Sequence, residues 1–190
     1  MDPRIVLASR SPRRLALLVS IGLDVEVAPA DVPETRGAGE PPSDMVARLA
    51  GAKARAVAER FTGALVIAAD TTVAIEDEVL EKPRDAHENT AFLRRLAGRT
   101  HVVHTGHCLM LDGRSAREVR TTEVRFRPLD DAEIGWYVAS GEGLDKAGGY
   151  AVQGLGACLV DTIAGCYTNV VGLSLPSVIA SARGLGVRLV

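Results

Sequence analysis

Lysine is scarce in this chain: of its 22 basic residues only Lys53, Lys82 and Lys146 are lysines, the remainder being arginines. A sequence that elsewhere uses arginine has kept an ammonium at three places. Each is therefore a candidate for a task a guanidinium cannot perform, with drift as the plain alternative. A basic excess is also lacking, since the net charge is −2, and this argues against a nonspecific nucleic-acid binder. Cysteine is limited to Cys108, Cys158 and Cys166; an odd number without C-x-x-C spacing points to reduced thiols and a cytoplasmic setting. No apolar run approaches the roughly 18 residues that span a bilayer, so no membrane partner is expected. The amino terminus shows no apolar stretch followed by a cleavage site, so no secretory signal is expected. The G-x-x-x-x-G-K-[ST] phosphate loop and the G-x-S-x-G elbow are missing, which counts against a P-loop NTPase and an α/β-hydrolase.

What is present describes a globular chain. With 190 residues, 47% of them hydrophobic and 24% charged, residues 1–190 are most simply one domain, large enough for a sizeable core and for two lobes. Ile5 to Ala8 reads as a short strand, and Ser11 followed by Pro12 marks a helix start that Gly22 ends. Val25–Val27 reads as a second strand. Ser43 is expected to cap a helix running to about Phe61, with Lys53 in the middle of its apolar stripe of Val46, Leu49, Ala50 and Val57. Ala64 to Ala69 reads as a buried strand with Asp70 at its end, after which the chain turns back through Glu76-Asp77-Glu78 to Lys82-Pro83. A helix over 86–96 ends at Gly98, and two strands (101–111 and 119–126) flank an Asp112-Gly113 hairpin turn. A helix from Asp130 ends at Gly141. The glycine-rich 141–149 segment around Lys146 reads as a mobile loop near a ligand. Strands around 158–163 and 170–173, a helix from Pro176 to Arg183 and a last short strand complete an interleaved α/β chain.

Several groups point to chemistry. Ser9, Ser11, Arg13 and Arg14 converge within one turn of a helix N-terminus, where an anion would reverse an otherwise unfavourable placement of two arginines. Solvation of both arginines is the bland alternative. Lys53 on a buried face either snorkels or points into a polar cleft, and its rarity favours the cleft. Asp70 at the end of a buried strand, where open α/β sheets bind ligands, and Lys82 locked by Pro83 form a plausible kit for metal and phosphates. Alone they could equally be surface groups. Cys108 and Arg114 match C-x5-R, but an apolar strand and a hairpin lie between them, so the match is chance. His101, His104 and His107 on a strand split between two faces, which counts against a three-histidine zinc site and favours ordinary polar packing.

Leu7-Ala8-Ser9-Arg10-Ser11-Pro12-Arg13-Arg14, Ala69-Asp70-Thr71-Thr72-Val73, Lys82-Pro83, the run from Asp145-Lys146 through Gln153-Gly154, and Asn169-Val170-Val171-Gly172-Leu173 together resemble the Maf family. These are nucleoside triphosphate pyrophosphatases, also described as septum-formation inhibitors. Five motifs in order cover nearly the whole chain, and all three lysines fall on positions that the family pattern uses. The resemblance implies an inosine-triphosphatase-like (Maf/Ham1-like) α/β fold, with two lobes around a central cleft. It also implies hydrolysis of a nucleoside triphosphate to the monophosphate and pyrophosphate with a divalent metal, Mg or Mn, and a homodimer as the family-level assembly. By motif position Asp70 is the general base and a metal ligand, with Glu34 assisting at metal or water. Arg13, Lys53 and Lys82 hold phosphates, and Arg13, Thr71 and Gln153 read the base. Arg13 and Thr71 stand where the 7-methyl-GTP branch resembles Ser-Pro-Trp-Arg and Asp-Gln, so the resemblance is to the dTTP/UTP branch. A 7-methyl-GTP pyrophosphatase and a non-catalytic nucleotide-binding regulator of cell division are the alternatives. Glu81 replaces the usual Gly before Lys-Pro, and Ser174 interrupts the usual Gly-Leu-Pro-Leu. Asp70→Asn, being isosteric, is expected to remove turnover and leave stability nearly unchanged.

Overall fold

The computed structural model describes residues 3–76 and 78–190; Asp77, in the expected return turn, lies outside them, as do Met1 and Asp2. In chain order the elements are β1 (Ile5–Leu7), α1 (Pro12–Ser20), β2 (Val25–Val27), α2 (Pro42–Ala58), β3 (Leu65–Ile75), β4 (Glu78–Leu80), α3 (Ala86–Leu96), β5 (Thr100–Leu111), β6 (Arg114–Phe126), α4 (Asp131–Ala139), β7 (Val160–Ala164), α5 (Tyr167–Val171) and α6 (Leu175–Gly184), with 3-10 turns at Ala147–Gly149 and Gly154–Cys158. The strands are hydrogen-bonded in the order β2-β1-β3-β5-β6-β7, and β4 pairs with β3. The chain is α/β, as its pattern of elements predicts. It divides into two compact units: residues 1–70, 105–120 and 172–190, and residues 71–104 and 121–171.

In the first unit β1 runs parallel to β2 and β3, with Ile5 opposite Val25 and Leu65. Strand parity divides the core in two. Leu65, Ile67 and Ala69 join Leu7, Leu18, Val178 and Ala182. Val66 and Ala68 join Val6, Ala8 and the α2 residues Ala50, Ala54 and Val57. Because side chains alternate along a strand, Asp70 takes the parity of Val66 and Ala68, the α2 side. The α1 start follows the sequence: Ser11 accepts the Arg14 N–H, and Pro12 opens the helix. α2, by contrast, begins at Pro42 after Pro41, so Ser43 lies inside its first turn and bonds Asp44 instead of capping. Two prolines preset the backbone dihedrals of a helix start without any capping side chain.

In the second unit β3 continues through Thr71–Ile75 and pairs antiparallel with β4, Ile75 opposite Glu78. Asp70 is therefore mid-strand, not terminal: the β-branched Thr71, Thr72, Val73 and Ile75 extend the ladder with a hairpin partner. Val73, Ile75, Leu93, Leu96, Phe126, Ile134 and Tyr137 form this unit's core. The 141–149 segment, expected as a mobile loop near a ligand, is packed at Gly143, Gly148 and Gly149. Gly148 and Gly149 both have φ of +72°, and a Cβ on Gly149 would lie 2.2 Å from Asn89 Nδ2, which donates to the Gly149 carbonyl at 2.8 Å. Residues 170–173 are not a strand; α5 ends there. A helical turn brings the buried Asn169 side chain to the Val103 carbonyl and Thr122 Oγ1, each at 3.1 Å. The apolar run was too short for its period to distinguish helix from strand. Residues 187–190 form no strand.

Candidate active site

Two carboxylates and one ammonium meet in the first unit. Lys53 Nζ lies 2.6 Å from Asp70 Oδ1 and 2.6 Å from Glu34 Oε1. Lys53 is 8% and Asp70 9% exposed, so this ion pair is largely removed from water, where Coulomb terms are strong, while Glu34 joins it from an exposed position. Its origin is local. The α2 stripe carries Lys53 inward among Ala50, Ala54 and Val57, and β3 parity carries Asp70 to the same side. Glu34 comes from the 28–41 connection, which Arg48 of α2 braces by donating to the Thr35 carbonyl at 3.0 Å and by pairing with Glu40 at 2.7 Å. That pairing holds the Glu40 carboxyl down to about 2.

Ser9, Ser11 and Arg14 are brought together as the sequence pattern implies, but Arg14 is occupied by protein. Its Nε donates to the Gly172 carbonyl at 2.7 Å, and one Nη donates to Ser9 Oγ at 3.1 Å and the Ala69 carbonyl at 2.8 Å. Burial pulls this guanidinium below its ordinary value, with the Asp70 charge opposing. Two of these bonds tie the β1–α1 turn to β3 beside Asp70 and to Gly172, and the third stays within the turn at Ser9, so Arg14 shapes the turn as well as charging it. Arg13, half-buried, is the neighbouring guanidinium in the first turn of α1.

The remaining candidates belong to the second unit. Thr71 is the next residue of β3, half-buried. Lys82 is exposed, anchored by the buried Pro83. The Glu81 carbonyl accepts the Gly148 N–H at 3.1 Å, tying the Lys82 segment to the turn after Lys146. The Glu81 side chain is exposed. Lys146 pairs with Asp145 and donates to the Glu142 carbonyl at 2.5 Å. Gln153 is exposed just before the 3-10 turn Gly154–Cys158. Ser174, the other departure from the family pattern and part of the first unit, caps α6 by accepting the Ser177 N–H, and its own N–H donates to His107 Nε2 at 2.9 Å. Asn89 and Glu142, both structural anchors of the lysine-bearing turn, escaped the sequence reading. Glu142, directly after the helix-ending Gly141, is the one a capping argument could have singled out.

The thiols and histidines carry no second site. Cys108 is buried, which pushes its thiol up, and Arg114 bonds the Gly184 carbonyl, as a chance C-x5-R match should. His101 and His107 are buried and His104 bonds Thr121. Among the described residues no three His, Cys, Asp or Glu gather as a metal cage. Glu34 and Asp70 are the two carboxylates here that could take part in holding a divalent cation, one or two carboxylates being enough where substrate phosphates supply further ligands.

A family model described as Maf-like protein matches residues 4–185. The chain is 49% identical over 193 residues to the dTTP/UTP pyrophosphatase of Anaeromyxobacter dehalogenans (strain 2CP-1), covering 100% of this chain and 97% of that protein. It is 48% identical over 186 residues to the dTTP/UTP pyrophosphatase of Thermus thermophilus, covering 98% and 97%. Among solved structures, a HAM1 protein from Coxiella burnetii superimposes with a TM-score of 0.47 at 22% identity, over 65% of this chain and 73% of that one.

Proposed function

The chain belongs to the Maf family, and from that premise we propose that it hydrolyses dTTP and UTP to the nucleoside monophosphate and pyrophosphate. The observation that carries the chemistry is the Lys53–Asp70 contact at 2.6 Å with Glu34 on the same nitrogen. The similarity to dTTP/UTP pyrophosphatases supports the substrate class. Water attacks the α-phosphorus; its oxygen forms the new P–O bond as the bond to the bridging α,β oxygen breaks. Oδ1 of Asp70 is engaged by Lys53, which leaves Oδ2 to take the water proton. A positioned base of this kind contributes about 10²–10⁴-fold. Lys53 steadies the charge on Asp70 and, with Arg13, Lys82 and Lys146, neutralises the triphosphate and the departing pyrophosphate. Ser9 and Ser11 supply hydroxyls at the α1 N-terminus, whose backbone N–H groups favour an anion.

Glu34 and Asp70 would hold a divalent metal, which supplies Lewis-acid neutralisation of the phosphate oxygens. Arg13, Thr71 and Gln153 read the base. Gln153 can donate and accept at the O4–N3 edge of uracil or thymine, whereas Arg13 sets a cation against the positive charge of 7-methylguanine. Three cysteines outside any disulfide suit a reducing cytoplasm, and a homodimer completes the reading. No described helix is long and apolar enough to cross a membrane.

The test is product identification with kcat/KM across UTP, dTTP, CTP, GTP and 7-methyl-GTP. Monophosphate and pyrophosphate from UTP and dTTP, abolished by a chelator, are expected. A nucleoside diphosphate as first product overturns the chemistry; 7-methyl-GTP as best substrate overturns the base assignment. Binding without turnover of any nucleotide returns the protein to a regulatory role.

A further inference from the structure

Glu142 belongs to no motif discussed so far, yet its carboxylate organises the segment that carries Gln153. Oε1 accepts the Tyr137 hydroxyl at 3.1 Å and the Gly156 N–H at 2.9 Å, and Oε2 accepts the Leu155 N–H at 3.0 Å. On the other flank of Gln153, the Ala151 N–H donates to the Tyr137 hydroxyl oxygen at 3.1 Å. One carboxylate and one phenol thus pin the chain two residues before and two to three residues after Gln153. The loop between them is closed and tight. A Cβ on Gly156 would fall 2.0 Å from the Ala151 carbonyl, and one on Gly154, whose φ is +64°, would fall 2.5 Å from Glu142 Oε2. The Glu142 carbonyl also receives Lys146 Nζ, so the same residue braces the lysine-bearing turn.

Every bond reaching the Glu142 side chain comes from a donor, so the position requires an acceptor-only group, which a carboxylate is and an amide is not. Backbone N–H groups bound to a charged acceptor make the stronger class of hydrogen bond. We infer that Glu142, seconded by Tyr137, is a positioning residue for base selection: it fixes the backbone on both sides of Gln153 so that this exposed amide meets a pyrimidine edge in one orientation. The inference rests on the proposed pyrophosphatase reading and deepens it. Base discrimination by a single amide depends on orientation, because a rotated or displaced Gln exchanges its donor for its acceptor.

The test uses the full-length protein and kcat/KM for UTP and CTP, with thermal unfolding recorded for each variant. Glu142→Gln turns an NH2 toward one of the three donors, and the UTP over CTP preference is expected to fall about tenfold. The loss should appear as a raised KM for UTP, with kcat on CTP within twofold of wild type. Gln153→Ala should show the same loss, and Glu142→Gln in the Gln153→Ala background should add nothing further. A folded Glu142→Gln that keeps its discrimination, or loses rate equally on both nucleotides, overturns the inference. Should that variant not fold, Tyr137→Phe removes one bond to Oε1 and the partner of Ala151; unchanged selectivity there overturns it equally. If Gln153→Ala leaves the preference intact, the base-reading assignment fails and this inference with it. If Gln153→Ala lowers the preference and Glu142→Gln does not, this inference alone fails.

Discussion

Replacing Asp70 by Asn removes one charge and almost no volume, and two separable losses should follow. The first is catalytic. Without a carboxylate to take the water proton, the barrier rises by about 3–5 kcal/mol, or 10²–10⁴-fold in rate. The second concerns the fold, and it revises the expectation that an isosteric change is neutral. Lys53 is 8% exposed and has Asp70 as its buried partner, whereas Glu34 reaches it from an exposed position. Removing one partner of a buried ion pair costs about 3–5 kcal/mol when the remaining charge is left uncompensated. Here an amide oxygen still accepts from Nζ and Glu34 still neutralises it, so about 1–3 kcal/mol is expected. For a chain of this length that lowers Tm by about 2–12 °C.

Pyrophosphate release from UTP measures the first loss, and urea or thermal unfolding the second. Lys53→Met and the double variant Asp70→Asn/Lys53→Met complete a cycle. Removing both charges should restore part of the stability lost in either single variant, a coupling of about 1 kcal/mol or more. Asp70→Asn turning over within a fewfold of wild type refutes the base assignment. Strictly additive single variants refute the coupled pair, whatever the activity.

Three further outcomes are expected. Lys53→Met, which withdraws the ammonium shared by Glu34 and Asp70, should strengthen Mn2+ binding to the nucleotide-free protein about tenfold or more, about 1.4 kcal/mol. Equal affinity by titration calorimetry would show that these carboxylates are not the metal ligands. Gly106→Ala should destabilise by about 1–3 kcal/mol or more, since its Cβ would lie 2.3 Å from the Val46 carbonyl oxygen of α2; an unchanged urea midpoint refutes that close approach. Burial holds His101 and His107 down to about 4 from an ordinary 6.5. Between those values the unfolded chain binds protons that the native protein refuses, so stability falls as pH drops from about 6.5 to about 4 and this contribution levels off below. Each histidine accounts for about 3 kcal/mol. His107→Gln, whose amide oxygen can still accept the Ser174 N–H, should flatten that slope in urea melts, and an unchanged slope removes His107 from the account.

Much of the molecule was written in local chemistry. Ser11-Pro12 opens α1, the Asp130/Glu133 capping box opens α4, and Asp112-Gly113 closes the β5–β6 hairpin. Those elements were legible because caps and tight turns are decided by residues within four positions of one another. The scarcity of lysine likewise marks Lys53 in the sequence, and its place in the apolar stripe of α2 puts it on the buried face. Where the expectation failed, a distant partner decided. Asp70 looked terminal because the apolar run stops at Ala69, but β4 returns to pair with Val73–Ile75 and carries the strand five residues further. Val170–Leu173 looked extended until the buried needs of Val103 and Thr122 drew Asn169 inward on a helical turn. The 141–149 turn looked loose because glycine permits many conformations, yet Asn89, sixty residues away in sequence, selects one. The Arg14 bonds to Ala69 and Gly172, the three-way contact of Glu34, Lys53 and Asp70, and the Glu142 carboxylate under residues 155–156 all join groups separated by at least thirteen positions. Periodicity says which face a side chain takes; only closing the chain on itself says what waits there.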